Sequence, residues 1–343
     1  MPIAITPDQL ALQASIRDWA KQAAPLAAVR RLEPGLPAEP STYLSDVAGL
    51  GVFSIVIPET AGGAGGTLTD LAAALEQLTI ALVPGPVLPT ALAGLLLAAA
   101  DAASQLPALA TGHATAAVAL TADPLRATRH ADGSLRVAGQ AGPILGAGTT
   151  SHLLLGSTTD PDVPKHQGLT YFLVDMHAPG IDIRPLREIT GRTMFNEVFL
   201  DDVFVPDDCV LGAPGDGWRI AMSTLATERV AIGSGQDETV EALLAAGGAV
   251  SPLFIERAGL HVATGLSIAA LGERGAHPAI RKLIGVGHRQ AVAETVLDLL
   301  GPDGAAESGA SGEFLLTRCL SIAGGTTQIL LNQVAERVLG LPR

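Results

Sequence analysis

Cysteine is nearly missing from this 343-residue chain: Cys209 and Cys319 stand far apart and in no metal-ligand spacing. A disulfide framework or a zinc site has nothing to rest on, so two small buried apolar side chains are expected instead. Long hydrophobic runs are missing too. The longest covers residues 91–100, between Pro89 and Asp101, well short of the ~18 to 20 apolar residues that cross a bilayer. Positive charge is scarce, with 21 Lys and Arg against 34 Asp and Glu and a formal charge of −13. That excludes a general nucleic-acid binder, which needs a basic field along the phosphate track. An anionic ligand would need local help. Residues 1–8 carry no basic stretch ahead of an apolar core, so no secretory signal is expected and the cytoplasm is the expected location.

What is present is apolar: 48% of the residues are hydrophobic, 16% are charged, and mean hydropathy is +0.38. Such a chain buries much of its surface, including against another subunit. Its length calls for two or three packed units. From Thr6 the pattern is helical, with Leu10, Leu12, Ile16, Trp19 and Ala20 on one face and Thr6-Pro7-Asp8 as an N-cap followed by proline at N1. Further helices fit residues 42–50, 67–81 and 89–101. The glycine-rich run 61–66 is a loop between two of them, without the strand and GK[ST] context of a phosphate cradle.

The period then changes. Residues 116–120, 135–138, 152–156, 170–174, 181–185 and 197–204 are short β-branched or aromatic segments divided by Asp-Gly, Pro-Gly and Pro-Asp turns. Four long helical patterns follow, over 218–233, 251–272, 278–300 and 313–339. The expected architecture is α+β, with an N-terminal helical domain (1–112), a mostly antiparallel β domain (113–212) and a C-terminal four-helix bundle (213–343).

On the 218–233 helix, Ala221, Leu225, Glu228 and Ile232 fall on one stripe at spacings of four, three and four. A carboxylate amid an apolar face is desolvated, which raises its pKa toward that of a working base. An ion pair with Arg229 or with a partner helix is the other reading. The basic set Arg281, Lys282, His288 and Arg289 reads as a solvated helix face, with the phosphates of a nucleotide cofactor as the alternative.

Three stretches carry a family resemblance. Residues 195–206 (FNEVFLDDVFVP), the Leu211-Gly212 and Gly215-Asp216-Gly217-Trp218 that follow, and the C-terminal run IAGGTTQI (322–329) with RVLGLPR (337–343) together resemble the acyl-CoA dehydrogenases over essentially the whole chain. The resemblance implies FAD-dependent removal of two hydrogens from an acyl-CoA thioester to give a trans-2-enoyl-CoA, with an electron-transfer flavoprotein as acceptor. It implies Glu228 as the catalytic base, since the family's alternative position, in the C-terminal loop, is Gly324 here. Arg229 is implied beside the substrate. Gly301 and Gly304 match the loop that contacts the FAD diphosphate, and Gly325, Thr326 and Gln328 match the loop at the start of the last helix, where free backbone N–H groups suit an anion. For each glycine a helix stop or a turn stays open as the other reading.

Three departures accompany the resemblance. A short Thr121-Ala122-Asp123-Pro124 replaces the family's Thr-Glu-x-x-x-Gly-Ser-Asp loop, residues 142–145 replace its Trp-x-Thr, and nothing between Gly233 and Ser251 matches the Arg-x-x-Phe-Gly that reaches the neighbour's FAD. They imply a hetero-oligomer with a fuller subunit, with a homo-oligomer as the alternative; the alternative to a catalytic chain is a half-site or non-catalytic partner subunit.

Overall fold

The structure is a computed structural model that describes residues 6–31, 41–100, 102, 104–119, 125–222, 251–306 and 309–342. These fall into two compact units, one within Thr6–Leu225 and one within Ala226–Arg343.

In the first unit Thr6 caps α1 (Pro7–Ala23) through a full capping box with Gln9, and proline opens the helix. The buried face of α1 differs from the expected one. Gln9, Gln13 and Ile16 are buried, whereas Leu10 is exposed. The reason lies across the interface, where α4 (Leu68–Ile80) offers acceptors: Gln9 Nε2 donates to Asp70 at 2.7 Å, and Gln13 Nε2 donates to Glu76 at 2.7 Å and to the Ala73 carbonyl at 3.3 Å. A buried amide whose hydrogen bonds are met is tolerated where an unmet one is not. The helices α2 (Pro25–Arg31), α3 (Ser41–Gly49), α5 (Val87–Ala99) and α6 (Leu106–Ala110) complete this layer.

The loop at 61–66 is no phosphate cradle. Its Ala64, Gly65 and Gly66 amides donate to the carbonyls of Ser54, Ile57 and Ile55. A side chain at Gly63 would collide with Ile57, whose carbonyl oxygen lies 2.1 Å from the position of a Cβ.

Eight strands form one sheet: β1 (Ala116–Ala119), β2 (Arg126–Arg129), β3 (Leu135–Leu145), β4 (His152–Thr158), β5 (Leu169–Asp175), β6 (Ile181–Leu186), β7 (Phe195–Val205) and β8 (Val210–Leu211). Their order is β6-β7-β3-β2-β4-β5-β8, with β1 beside β4. Pairing is mostly antiparallel, as expected, but β4 takes both β1 and the end of β2 in parallel. β3 runs seven residues beyond the expected 135–138 because it pairs with β7 along nearly its whole length, across two register shifts. The second shift falls between Ala141 and Ile144, where the family's Trp-x-Thr is replaced. β2 escapes a pattern search because it is polar, with only Ala127 buried.

β5 is buried along both faces. Phe172 and Val174 face the interior of the sheet domain together with Val137, Leu155 and Val198. Tyr171 and Leu173 face α5 and α6, packing with Leu96, Leu97, Leu106 and Leu109. The same cluster takes in Ile220 and Ala221 from the helical segment at 217–222. The sheet thus joins the N-terminal helices through a continuous core, which is why the residues between them are short connections rather than linkers.

The second unit contains α7 (Pro252–Glu273), capped by Ser251, then α8 (Pro278–Leu300), a 3-10 turn at Gly301–Ala305, α9 (Gly309–Cys319) and α10 (Thr327–Arg337). The single helix expected over 313–339 is two helices. Gly324 and Gly325 break it with φ of +62° and +106°, a region that side chains rarely enter. Phe254, Val292 and Val296 form the buried centre between α7 and α8. Both cysteines are half-buried rather than buried. No helix among the described residues is long and apolar enough to cross a membrane.

Candidate cofactor-binding loop of the C-terminal unit

The residues expected to hold a cofactor divide into two groups. Gly325, Thr326 and Gln328 lie where the α9–α10 connection becomes α10. Thr326 is the N-cap: its backbone is extended (φ −63°, ψ 155°) and its Oγ1 accepts from the Ile329 amide at 3.3 Å. The hydroxyl hydrogen of Thr326 meets no acceptor among the described residues and can be donated to a second one. Gln328 is exposed in the first turn, where amide groups and the helix dipole favour negative charge. Two adjacent glycines at positive φ, a helix N-terminus and a hydroxyl donor fit an acceptor-rich group such as the anionic diphosphate or the neutral ring carbonyls of FAD.

Gly301 and Gly304 sit elsewhere. Gly301 ends α8 with φ 55° and ψ −130°, its amide donating to the Asp298 carbonyl. It is exposed, with open space where a side chain would be. Gly304 is buried against α8, and a Cβ there would lie 2.7 Å from the Leu297 carbonyl oxygen. Close packing of the turn on the helix accounts for a glycine at this position. The 3-10 turn and the 323–328 loop hold opposite ends of α8, with about 22 Å of helix axis between Leu297 and Lys282 at ~1.5 Å per residue. Within one chain the two groups cannot serve the same phosphate.

The basic set on α8 is not a solvated face. Lys282 is 1% exposed, and its Nζ donates to the Ala323 carbonyl and, at 2.6 Å, to the Gly325 carbonyl. Arg289 pairs with Glu313 at 2.8 Å. Arg281 is half-buried, with no hydrogen-bond partner for its Nε among the described residues. The His288 ring lies 5.7 Å from that of His261. Sequence reasoning assigned Lys282 to the wrong environment, although a signal was there: it shares the stripe Ala279, Val286, Ala293 and Val296, all of which are buried.

A polar cluster ties α7 to α8. Thr295 Oγ1 donates to the Ala291 carbonyl and is met by Arg257 at 3.0 Å and His261 Nε2 at 2.9 Å. With the hydroxyl hydrogen spent on Ala291, His261 Nε2 is the donor. Burial, the neighbouring His288 and Arg257 hold the His261 pKa below its ordinary value.

Glu228 and Arg229 lie outside the described residues, as do Thr121, Ala122, Asp123 and Pro124. Of the stripe that carries Glu228, Ala221 is described, and it is buried.

Two family models match: the acyl-CoA dehydrogenase N-terminal domain over residues 6–113 and the acyl-CoA dehydrogenase C-terminal domain over residues 256–339. Together they cover more than half of the chain. The chain belongs to the acyl-CoA dehydrogenase family. Members of this family are FAD-dependent oxidoreductases that act on CH–CH bonds.

Among the relatives, acyl-CoA dehydrogenase FadE34 of Mycobacterium tuberculosis is 51% identical over 200 residues, 54% of this chain and 28% of that protein. The match spans about half or less of the length of the first curated relatives. The fold is that of the Tcur3481-Tcur3483 steroid ACAD, whose G363A variant superposes with a TM-score of 0.86 at 22% identity, covering 98% of this chain and 99% of that one. The ChsE4-ChsE5 complex from Mycobacterium tuberculosis matches with a TM-score of 0.82 at 19% identity over the whole of both chains.

Proposed function

We propose that this acyl-CoA dehydrogenase family chain takes part in α,β-dehydrogenation of an acyl-CoA thioester to the trans-2-enoyl-CoA, in the cytoplasm, with an electron-transfer flavoprotein as electron acceptor. The observation that carries the reading is the loop at 323–328: a helix N-terminus behind two glycines at positive φ, with Thr326 able to donate while it caps. FAD, when bound, supplies the acceptor of the β-hydrogen. Glu228 takes the α-proton and Arg229 stands beside the substrate. Support for Glu228 comes from its place on a sequence stripe headed by the buried Ala221, and from Gly324 at the family's other base position. Gly325, Thr326 and Gln328 hold the cofactor, Gly301 touches the diphosphate of another copy of the site, and Gly304 holds the turn in place. We divide the chain accordingly into 1–112, 113–212 and 213–343.

The functional unit is a hetero-oligomer with a fuller acyl-CoA dehydrogenase subunit. Two features favour this over a homo-oligomer: nothing between Gly233 and Ser251 matches the family's Arg-x-x-Phe-Gly that reaches the neighbour's FAD, and residues 142–145 hold a strand irregularity in place of an aromatic platform. A chain without these groups needs a companion that supplies them, and the alternative to a catalytic role in that arrangement is a half-site or non-catalytic partner. The test is expression alone and with a full-length homologue, followed by native mass, flavin content and flavin reduction by acyl-CoA. A flavin-saturated, active homomer overturns the heteromer. A co-expressed complex whose flavin is not reduced by any acyl-CoA overturns the dehydrogenase reading.

A further inference from the structure

Lys282 is a buried cation in line with the apolar residues of α8. A charge in that position persists only where acceptors replace its water, and the Ala323 and Gly325 carbonyls do so. Between them runs Gly324 at φ +62°, followed by Gly325 at +106°. Adjacent glycines place little restriction on their own peptide planes, so something else must orient this stretch. A trans peptide sets its N–H opposite its C=O. Turning the Ala323 and Gly325 carbonyls toward Lys282 therefore turns the amides of Gly324 and Thr326 the other way. It also removes two partial negative charges from the opposite side of the loop.

We propose that Lys282 is a positioning residue for the cofactor: by holding the Ala323 and Gly325 carbonyls beneath the loop, it sets residues 323–326 in the orientation that accepts FAD. The inference rests on the reading of this loop as flavin-facing. Thr326 begins α10 directly after the second carbonyl, so the same contact fixes where the helix N-terminus points.

Lys282→Met keeps the apolar stem and deletes the donor, while Lys282→Arg keeps the charge. Hydrogen exchange on the flavin-free protein reports the loop, and FAD titration of the protein with its companion subunit reports the site. Lys282→Met is expected to speed exchange over residues 320–330 about tenfold or more while the α7–α8 core keeps its protection. Loss of a charge-assisted pair of hydrogen bonds is expected to raise the FAD dissociation constant about ten- to a hundredfold, with part of that recovered in Lys282→Arg. An FAD affinity in Lys282→Met equal to the parent's overturns the proposal, even if the loop exchanges faster, because the lysine would then be a structural tie alone. If Lys282→Met does not fold, Lys282→Gln, a neutral donor, is read by the same two measurements. A parent that binds no FAD, alone or with its companion, overturns the flavin reading of the loop and the proposal with it, and is told apart because the parent fails and not only the variant.

Discussion

The proposed cofactor contact of Thr326 can be separated from its capping role by substitution. Its Oγ1 accepts from the Ile329 amide at 3.3 Å as the N-cap of α10, and its hydroxyl, which donates to no acceptor among the described residues, is the proposed donor to the cofactor. Thr326→Val removes both. Loss of an N-cap costs about 1 kcal/mol, which lowers the melting temperature of a unit of this size by roughly 4 °C. Loss of a neutral hydrogen bond to flavin costs about 0.5–1.5 kcal/mol, or about two- to tenfold in the FAD dissociation constant. Thr326→Asp keeps a capping oxygen and adds a charge that suits the helix N-terminus, but it brings that charge against an anionic ligand. The two readouts should therefore rank differently. Stability of the flavin-free protein, read by thermal unfolding so that bound ligand does not contribute, should follow Asp ≥ Thr > Val. FAD affinity, read by titration of flavin fluorescence, should follow Thr > Val > Asp. Equal FAD affinity in all three would refute the reasoning and leave Thr326 as a helix cap only.

Glu228→Gln should keep the flavin content while slowing flavin reduction by acyl-CoA about 10²- to 10⁴-fold, and stopped-flow absorbance showing an undiminished rate would remove Glu228 from the base position. Tyr171 is fully buried and its hydroxyl donates to the Ala119 carbonyl at 3.0 Å. Tyr171→Phe should therefore destabilise the first unit by about 1–2 kcal/mol in urea unfolding without changing FAD affinity, and an unchanged midpoint would show that this bond contributes nothing. His261 has a folded pKa below its unfolded value, so its contribution to stability is fully present above the unfolded value of about 6.5 and is lost as pH falls through the folded pKa. Unfolding followed from pH 8 to pH 5 should show this decline, and His261→Asn should flatten it.

Much of the fold was legible because its signals are local. Thr6 with Pro7 and Gln9, Thr67 with Asp70, Ser251 with Pro252, and Thr326 all start helices by contacts within three or four residues. The alternating apolar segments located most of the sheet for the same reason. Arg126–Arg129 was missed because a polar strand held by its neighbours has no pattern of its own.

The site was legible only in part. Glycines and a threonine marked the proposed cofactor loop, but not that Gly304 packs against Leu297 while Gly325 lies at the other end of α8. The residues alone determined which segments form helices and strands and which family the chain resembles. Tertiary structure decided which side chains those segments bury. Gln9 and Gln13 replaced Leu10 in the core because Asp70 and Glu76 stand opposite them, and Lys282 left the solvent because carbonyls 41 and 43 residues away took the place of its water. Burial of a polar group depends on acceptors that the fold brings from far along the chain, and no local pattern carries that information.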